Sequence, residues 1–80
     1  MKIAFFHGLE SPAVSDKSEY LQENFHNPYC PALYYKDDKT VFDRTLEYVK
    51  TNNIELLVGS SIGGWLAYCI SVETGIPTIL

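Results

Sequence analysis

Basic residues are few. Six Lys and Arg stand against ten Asp and Glu, for a net charge of −4. Residues 1–40 carry 4 basic and 6 acidic groups and residues 41–80 carry 2 and 4, so each half sits at −2. No basic patch is available to hold a phosphate backbone, which sets nucleic acid and anionic membrane surfaces aside as partners. No apolar run approaches the ~20 residues of a membrane span. The opening Met1-Lys2-Ile3-Ala4-Phe5-Phe6-His7-Gly8 is too short and too soon broken to be a signal peptide. Cysteine is limited to Cys30 and Cys69, too few for a disulfide framework; with no export signal they read as reduced thiols in a cytoplasmic protein. Only His7 and His26 could join them around a metal, and zinc-ligand spacings are missing. No metal or organic cofactor is implied. Repeats, low-complexity tracts and linkers are missing too.

What remains is an ordinary globular composition, 46% hydrophobic and 20% charged over 80 residues. That length makes one domain, residues 1–80, burying roughly 63% of its unfolded surface. Strand and helix signals alternate. Residues 2–6 read as a short buried strand closed by Gly8. Asp16 with Glu19 resembles a capping box, and Tyr20, Leu21 and Phe25 recur at helical spacing, predicting a helix near 16–25 that Asn27-Pro28 breaks. Tyr29 to Tyr35 reads as a second strand, with Pro31 marking a strand start or an edge. Thr40 followed by Asp43 can cap a helix to about Lys50, stopped by Asn52-Asn53. Ile54 to Val58 is a continuous β-branched-rich run of the kind found inside parallel sheets. Ile62, Trp65, Leu66, Cys69 and Ile70 then mark one face of a helix that Gly75 ends, and Ile76 to Leu80 opens a last strand. The expected fold is α/β, a doubly wound parallel sheet of about four strands with helices on both faces. The final strand has no charged gatekeeper and leaves an open edge, so self-association or a complementing chain through 76–80 is expected.

The chemistry concentrates at Gly59-Ser60-Ser61-Ile62-Gly63, a G-x-S-x-G pattern between a buried strand and an apolar helix. A nucleophile at such a turn must sit on strained backbone. Glycines two residues before and after let the strand and helix pass, and the hydroxyl projects over the sheet end. Only Ser61 has glycine at both required positions; Ser60 does not. The Ile62 N–H would face the site at the positive end of the helix dipole. Two alternatives stay open: a strand–helix turn that needs small residues for packing, or an anion cradle at a helix N-terminus. The cradle lacks a P-loop lysine and the glycine spacing of a dinucleotide fingerprint. The second signal is His7-Gly8-Leu9-Glu10-Ser11 after the first strand. An acyl-transfer site needs a second backbone donor for its oxyanion, and the Leu9 N–H is the candidate beside that of Ile62. His7 itself reads as a residue that shapes this loop.

His7-Gly8-Leu9 after strand one, Ser11-Pro12 with Ser15 and Lys17 opening a helix, and Gly-Ser-Ser-Ile-Gly-Gly-Trp-Leu-Ala at 59–67 together resemble the α/β-hydrolase superfamily. They look most like its small lidless bacterial esterases of the YqiA type. The resemblance runs from residue 2 to residue 80. It implies strand order 2-1-3-4 and hydrolysis of short acyl esters or thioesters through an acyl-enzyme. It also implies Ser61 as nucleophile, Leu9 and Ile62 as oxyanion donors, and His7, Gly8, Gly59 and Gly63 as supporting residues. The superfamily orders its triad Ser, acid, His. After Ser61 this chain has one acidic residue, Glu73, and no histidine. Glu73 lies 12 positions along the helix, roughly 18 Å away. His26 matches no family position. The chain therefore supplies no acid or base of the family type, and on its own is expected to be inactive as an incomplete α/β-hydrolase fold. It is expected to be the N-terminal portion of a longer hydrolase, since it stops inside a strand. The other option is a natural short protein completed by another chain. A non-catalytic binding or assembly domain is the rival function.

The remaining residues take plain readings. Trp65 is core or pocket wall, and Cys69 a buried small hydrophobe. The six tyrosines, including Tyr34-Tyr35, read as flanking strands, with the lining of an acyl pocket as the alternative. Asp37-Asp38 is a solvated turn, and Glu10 a surface residue.

Overall fold

A computed structural model describes residues 1–8, 16–36 and 39–79. The element order is β1 (Ile3–Phe6), α1 (Asp16–Asn24), α2 (Val41–Thr51), β2 (Leu56–Gly59), α3 (Ile62–Thr74) and β3 (Thr78–Ile79). The three strands form one parallel sheet in the order β1-β2-β3. Ile3 pairs with Leu56 and Phe6 with Gly59, while Val58 pairs with Ile79.

Residue parity decides what each sheet face carries. Ala4, Phe6 and Leu57 join the core formed with Val41 and Val49 of α2 and Leu66, Ala67 and Ile70 of α3. Phe5 and Val58 face the other way, where they line a groove with Lys17, Tyr20 and Leu21 of α1. Helices thus cover both faces. Phe6 and Leu57 are fully enclosed, each contributing roughly 2–3 kcal/mol by burial.

The expected strand at 29–35 does not form. One parallel bridge joins Tyr29 to Ala4 on the outer edge of β1. Tyr29 N–H donates to the Ile3 carbonyl and Phe5 N–H to the Tyr29 carbonyl, both at 2.8 Å. Pro31 has no N–H to extend the ladder, and the Leu33 N–H goes to a side chain of β1's C-terminal loop instead. The four-strand sheet of order 2-1-3-4 is therefore three strands plus this single contact.

The helix ends follow local chemistry only in part, since neither Thr40 nor Ser61 makes a side-chain cap bond. Gly75 closes α3 in the left-handed region (φ +78), its N–H donating to the Ser71 carbonyl. Thr40 occupies the N-cap of α2 but makes no side-chain cap bond; its hydroxyl accepts from Arg44 Nε at 3.0 Å. The buried line of α3 is also rotated from the expected one. Gly63, Leu66, Ala67 and Ile70 face the sheet, Ile62 and Cys69 are half-buried, and Trp65 is on the solvent side. Counting only apolar side chains hides the reason. The helix turns its glycines to the sheet so that backbone can meet backbone.

Among the described residues no helix is long and apolar enough to cross a membrane. No three His, Cys, Asp or Glu among them are placed to hold a metal ion.

Candidate active site

The C-terminal ends of β1 and β2 and the N-terminus of α3 meet at one point. The Ser60 N–H donates to the Phe6 carbonyl at 3.2 Å, fixing the turn to the end of β1. Ser61 follows with φ 59 and ψ −125, a conformation L-residues rarely adopt, holding about 1–3 kcal/mol of strain. The Ser61 carbonyl then turns into the helix, accepting from Gly64 N–H at 2.9 Å and Trp65 N–H at 3.3 Å.

Two glycines make this turn possible. A Cβ on Gly59 would collide with the Gly63 carbonyl and lie 2.6 Å from Gly64 Cα. A Cβ on Gly63 would collide with the Phe6 carbonyl and lie 2.6 Å from that of His7. The helix start is thus wedged between the two strand ends, and no side chain fits at either position. Ser61 stays exposed at the rim. Ile62 opens α3, so its N–H has no intrahelical acceptor.

The adjacent Ser60 is differently placed. Lys17 Nζ of α1 donates to its hydroxyl at 3.2 Å. Of the two serines of the motif, Ser60 therefore meets Lys17, while Ser61 lines an open groove with Gly59, Gly64, Trp65 and Tyr68.

His7 is buried and fully engaged. Its Nε2 accepts from the Leu33 N–H at 2.8 Å, and its Nδ1–H donates to the Gly8 carbonyl at 2.7 Å. This pairing sets the proton on Nδ1 and leaves no ring nitrogen to act as a base. The His7 carbonyl accepts the Tyr35 hydroxyl at 2.7 Å, and the two rings meet edge-on at 5.7 Å. Burial pushes the Tyr35 hydroxyl up to about 12.

The other titratable groups lie elsewhere. His26 is exposed, shares a hydrogen bond with Asn27, and lines a depression with Met1, Lys2, Asn52 and Ile54 at the N-terminal end of the sheet. The length of β1, about 13 Å, separates that end from Ser61. Glu73 is exposed in the last turn of α3. Cys30 and Cys69 are free, and burial raises the Cys30 thiol above its usual value, which makes it a poor nucleophile. Leu9, Glu10, Ser11, Pro12, Ser15 and the Asp37-Asp38 turn lie outside the described residues.

No family model matches this chain, and no curated protein or solved structure matches it.

The structure therefore brings Gly59, Ser61, Ile62 and Gly63 together with the His7-Gly8 end of β1. Sequence reasoning gave Trp65 as core or pocket wall without setting it beside Ser61, and missed Tyr68, Tyr35 and Lys17. Trp65 and Tyr68 stand four and seven positions after Ser61, a helical spacing that could have placed them beside it. The Tyr35 contact with His7 and the Lys17 contact with Ser60 span 28 and 43 residues and carry no local signal.

Proposed function

We propose that Ser61 is the nucleophile of a serine hydrolase acting on short carboxylic esters or thioesters, in an α/β-hydrolase-like chain of the cytoplasmic esterase type. One observation carries this reading. Ser61 holds a strained backbone (φ 59, ψ −125) between two glycines that admit no Cβ, at the rim of a sheet. A packing turn needs the glycines but not a strained, exposed serine between them.

In the proposed reaction Ser61 Oγ forms a bond to the ester carbonyl carbon while its proton passes to a base. The carbonyl electron pair moves onto oxygen, where the Ile62 N–H donates to it, with Leu9 N–H as the second donor. The tetrahedral intermediate collapses, the bond to the alkoxide or thiolate breaks, and the leaving group takes the proton. Water then releases the acyl group by the same steps. The groove at Ser61 offers neither histidine nor carboxylate among the described residues, and both nitrogens of His7 are occupied. No described residue stands ready as base or acid partner, and an unassisted serine is a weak nucleophile, so the reaction needs both from elsewhere.

The test is site-resolved labelling with an alkyl fluorophosphonate, with imidazole added as a substitute base. The expected result is an adduct on Ser61 that grows with imidazole and is lost in Ser61→Ala. Labelling no faster than in urea-unfolded protein, or equal on Ser60 and Ser61, overturns the reading.

The second reading, an assembly domain, rests on β3. It is the last strand of the sheet, and Ile79 upon it is 56% exposed. Pairing of that edge with another copy or a complementing chain would show as dimers or larger species in light scattering. A monodisperse monomer at high concentration would remove it.

A further inference from the structure

α3 exposes two aromatic rings beside Ser61. Trp65 is 65% and Tyr68 48% exposed, and their rings stack with centroids 5.7 Å apart at 28°. With Gly59, Ser61 and Gly64 they bound an open groove of about 620 Å³. That volume lies within the range of about 300–1,000 Å³ that holds small organic ligands. No charged side chain lines the groove among the described residues. The helix backs it with glycine on one side and aromatic carbon on the other, so it offers apolar contact and little hydrogen bonding.

We infer that this groove binds the acyl chain of the ester attacked at Ser61, and that Trp65 and Tyr68 extend the proposed short-ester range to uncharged, apolar acyl groups of medium length. The inference rests on the nucleophile reading only for what happens at Ser61; occupancy of the groove is a separate property. A groove closed on one side removes part of each methylene from water. Full burial of one methylene is worth about fourfold in affinity and half burial about twofold. Lengthening a butyryl chain to octanoyl adds four methylenes and then gains about sixteenfold. A succinyl group of similar length brings a carboxylate with no cation to meet it, and is disfavoured.

Trp65 is the only tryptophan in the chain, so its fluorescence reports groove occupancy without any reaction. The experiment titrates Ser61→Ala protein with methyl butyrate, methyl octanoate and monomethyl succinate. Expected are a saturable blue shift with methyl octanoate, about sixteenfold weaker binding of the butyrate, and no response to the succinate. Tyr68→Ala, a change at an exposed site that leaves the far-UV spectrum intact, is expected to weaken octanoate binding severalfold. Equal response to all three ligands, or no effect of Tyr68→Ala, overturns the inference. So does a blue shift that tracks protein concentration without ester, which would assign the aromatics to a contact between copies. Octanoate binding without Ser61 labelling in the unmutated chain would sink the nucleophile reading and support the groove. Labelling without binding would do the reverse.

Discussion

The Leu33 N–H donates to His7 Nε2 across 26 residues of sequence, at 2.8 Å and out of contact with water. It makes an imidazole, rather than a strand, the partner of the segment that runs beside β1. That histidine also receives the Tyr35 hydroxyl on its carbonyl, so one residue anchors residues 33–35 to the sheet at two points. The same carbonyl borders the space that Gly63 leaves empty. The loop, the strand end and the start of α3 are therefore held by one residue.

Replacing His7 should loosen this corner. His7→Ala removes the acceptor for a buried N–H and leaves a void, and is expected to cost about 2–4 kcal/mol. Urea unfolding followed by circular dichroism measures it. A loss under 0.5 kcal/mol (about the scatter of surface substitutions) would mean that His7 is not the anchor.

Gly63→Ala and Gly75→Ala separate crowding from backbone strain. At Gly75 a Cβ meets nothing within 4 Å, and only the positive φ is unfavourable, for a cost of about 1 kcal/mol. At Gly63 the methyl runs into two strand carbonyls, and α3 must move as a whole. Gly63→Ala is expected to cost over ~3 kcal/mol or to prevent folding. Comparable losses at the two sites would contradict the close approach of α3 to β1.

Ser61 offers the opposite effect. Glycine accepts its backbone angles without strain, whereas alanine does not. Ser61→Gly should be more stable than Ser61→Ala by about 1 kcal/mol, and both should lose the fluorophosphonate adduct. Equal stability of the two variants would show that the turn is unstrained.

Tyr35 predicts a response to alkali. Its folded hydroxyl titrates at about 12, well above the ordinary tyrosine value near 10, because burial opposes the phenolate. Between those values the unfolded chain has lost its proton and the folded chain has kept it. Stability is therefore full below pH 10, falls as pH rises from 10 to 12, and levels off above. Tyr29, raised by burial and by nearby Tyr48, adds in the same direction. Tyr35→Phe should flatten part of that decline in thermal melts between pH 9 and 12; an unchanged slope would refute the assignment.

The features legible in the sequence are those written locally. The helix at 16–25 corresponds to Asp16–Asn24, and the Gly75 stop is where the glycine stands. The central run 54–58 yields a strand at Leu56–Gly59. The turn at Ser61 followed from the spacing of two glycines. What failed needed partners far away in sequence. The run 29–35 is rich in strand-forming residues, but the Leu33 N–H answers to His7, and no pattern within seven residues records that. The face of α3 failed for a related reason, since Gly63 and Gly64 count as nothing in an apolar tally while they set the approach of the helix. Thr40 stood at the right position, but its hydroxyl faces Arg44 one turn on, a choice that depends on rotamers.

The ladder between β1 and β2 has a kinetic meaning. Its first ties join Lys2 to Glu55, whose N–H donates to the Lys2 carbonyl while the Lys2 N–H donates to the Glu55 carboxylate, across 53 residues. The last joins Ser60 to Phe6. Closing a loop of that size precedes any reward from the strand contacts, which slows the search for the native topology. The taut turn at Ser61 thus combines local bonds from Gly64 and Trp65 with the long-range tie from Ser60 to Phe6, and is complete only when β1 and β2 have met. The strained conformation of Ser61 would then appear late in folding, once β1 and β2 are paired.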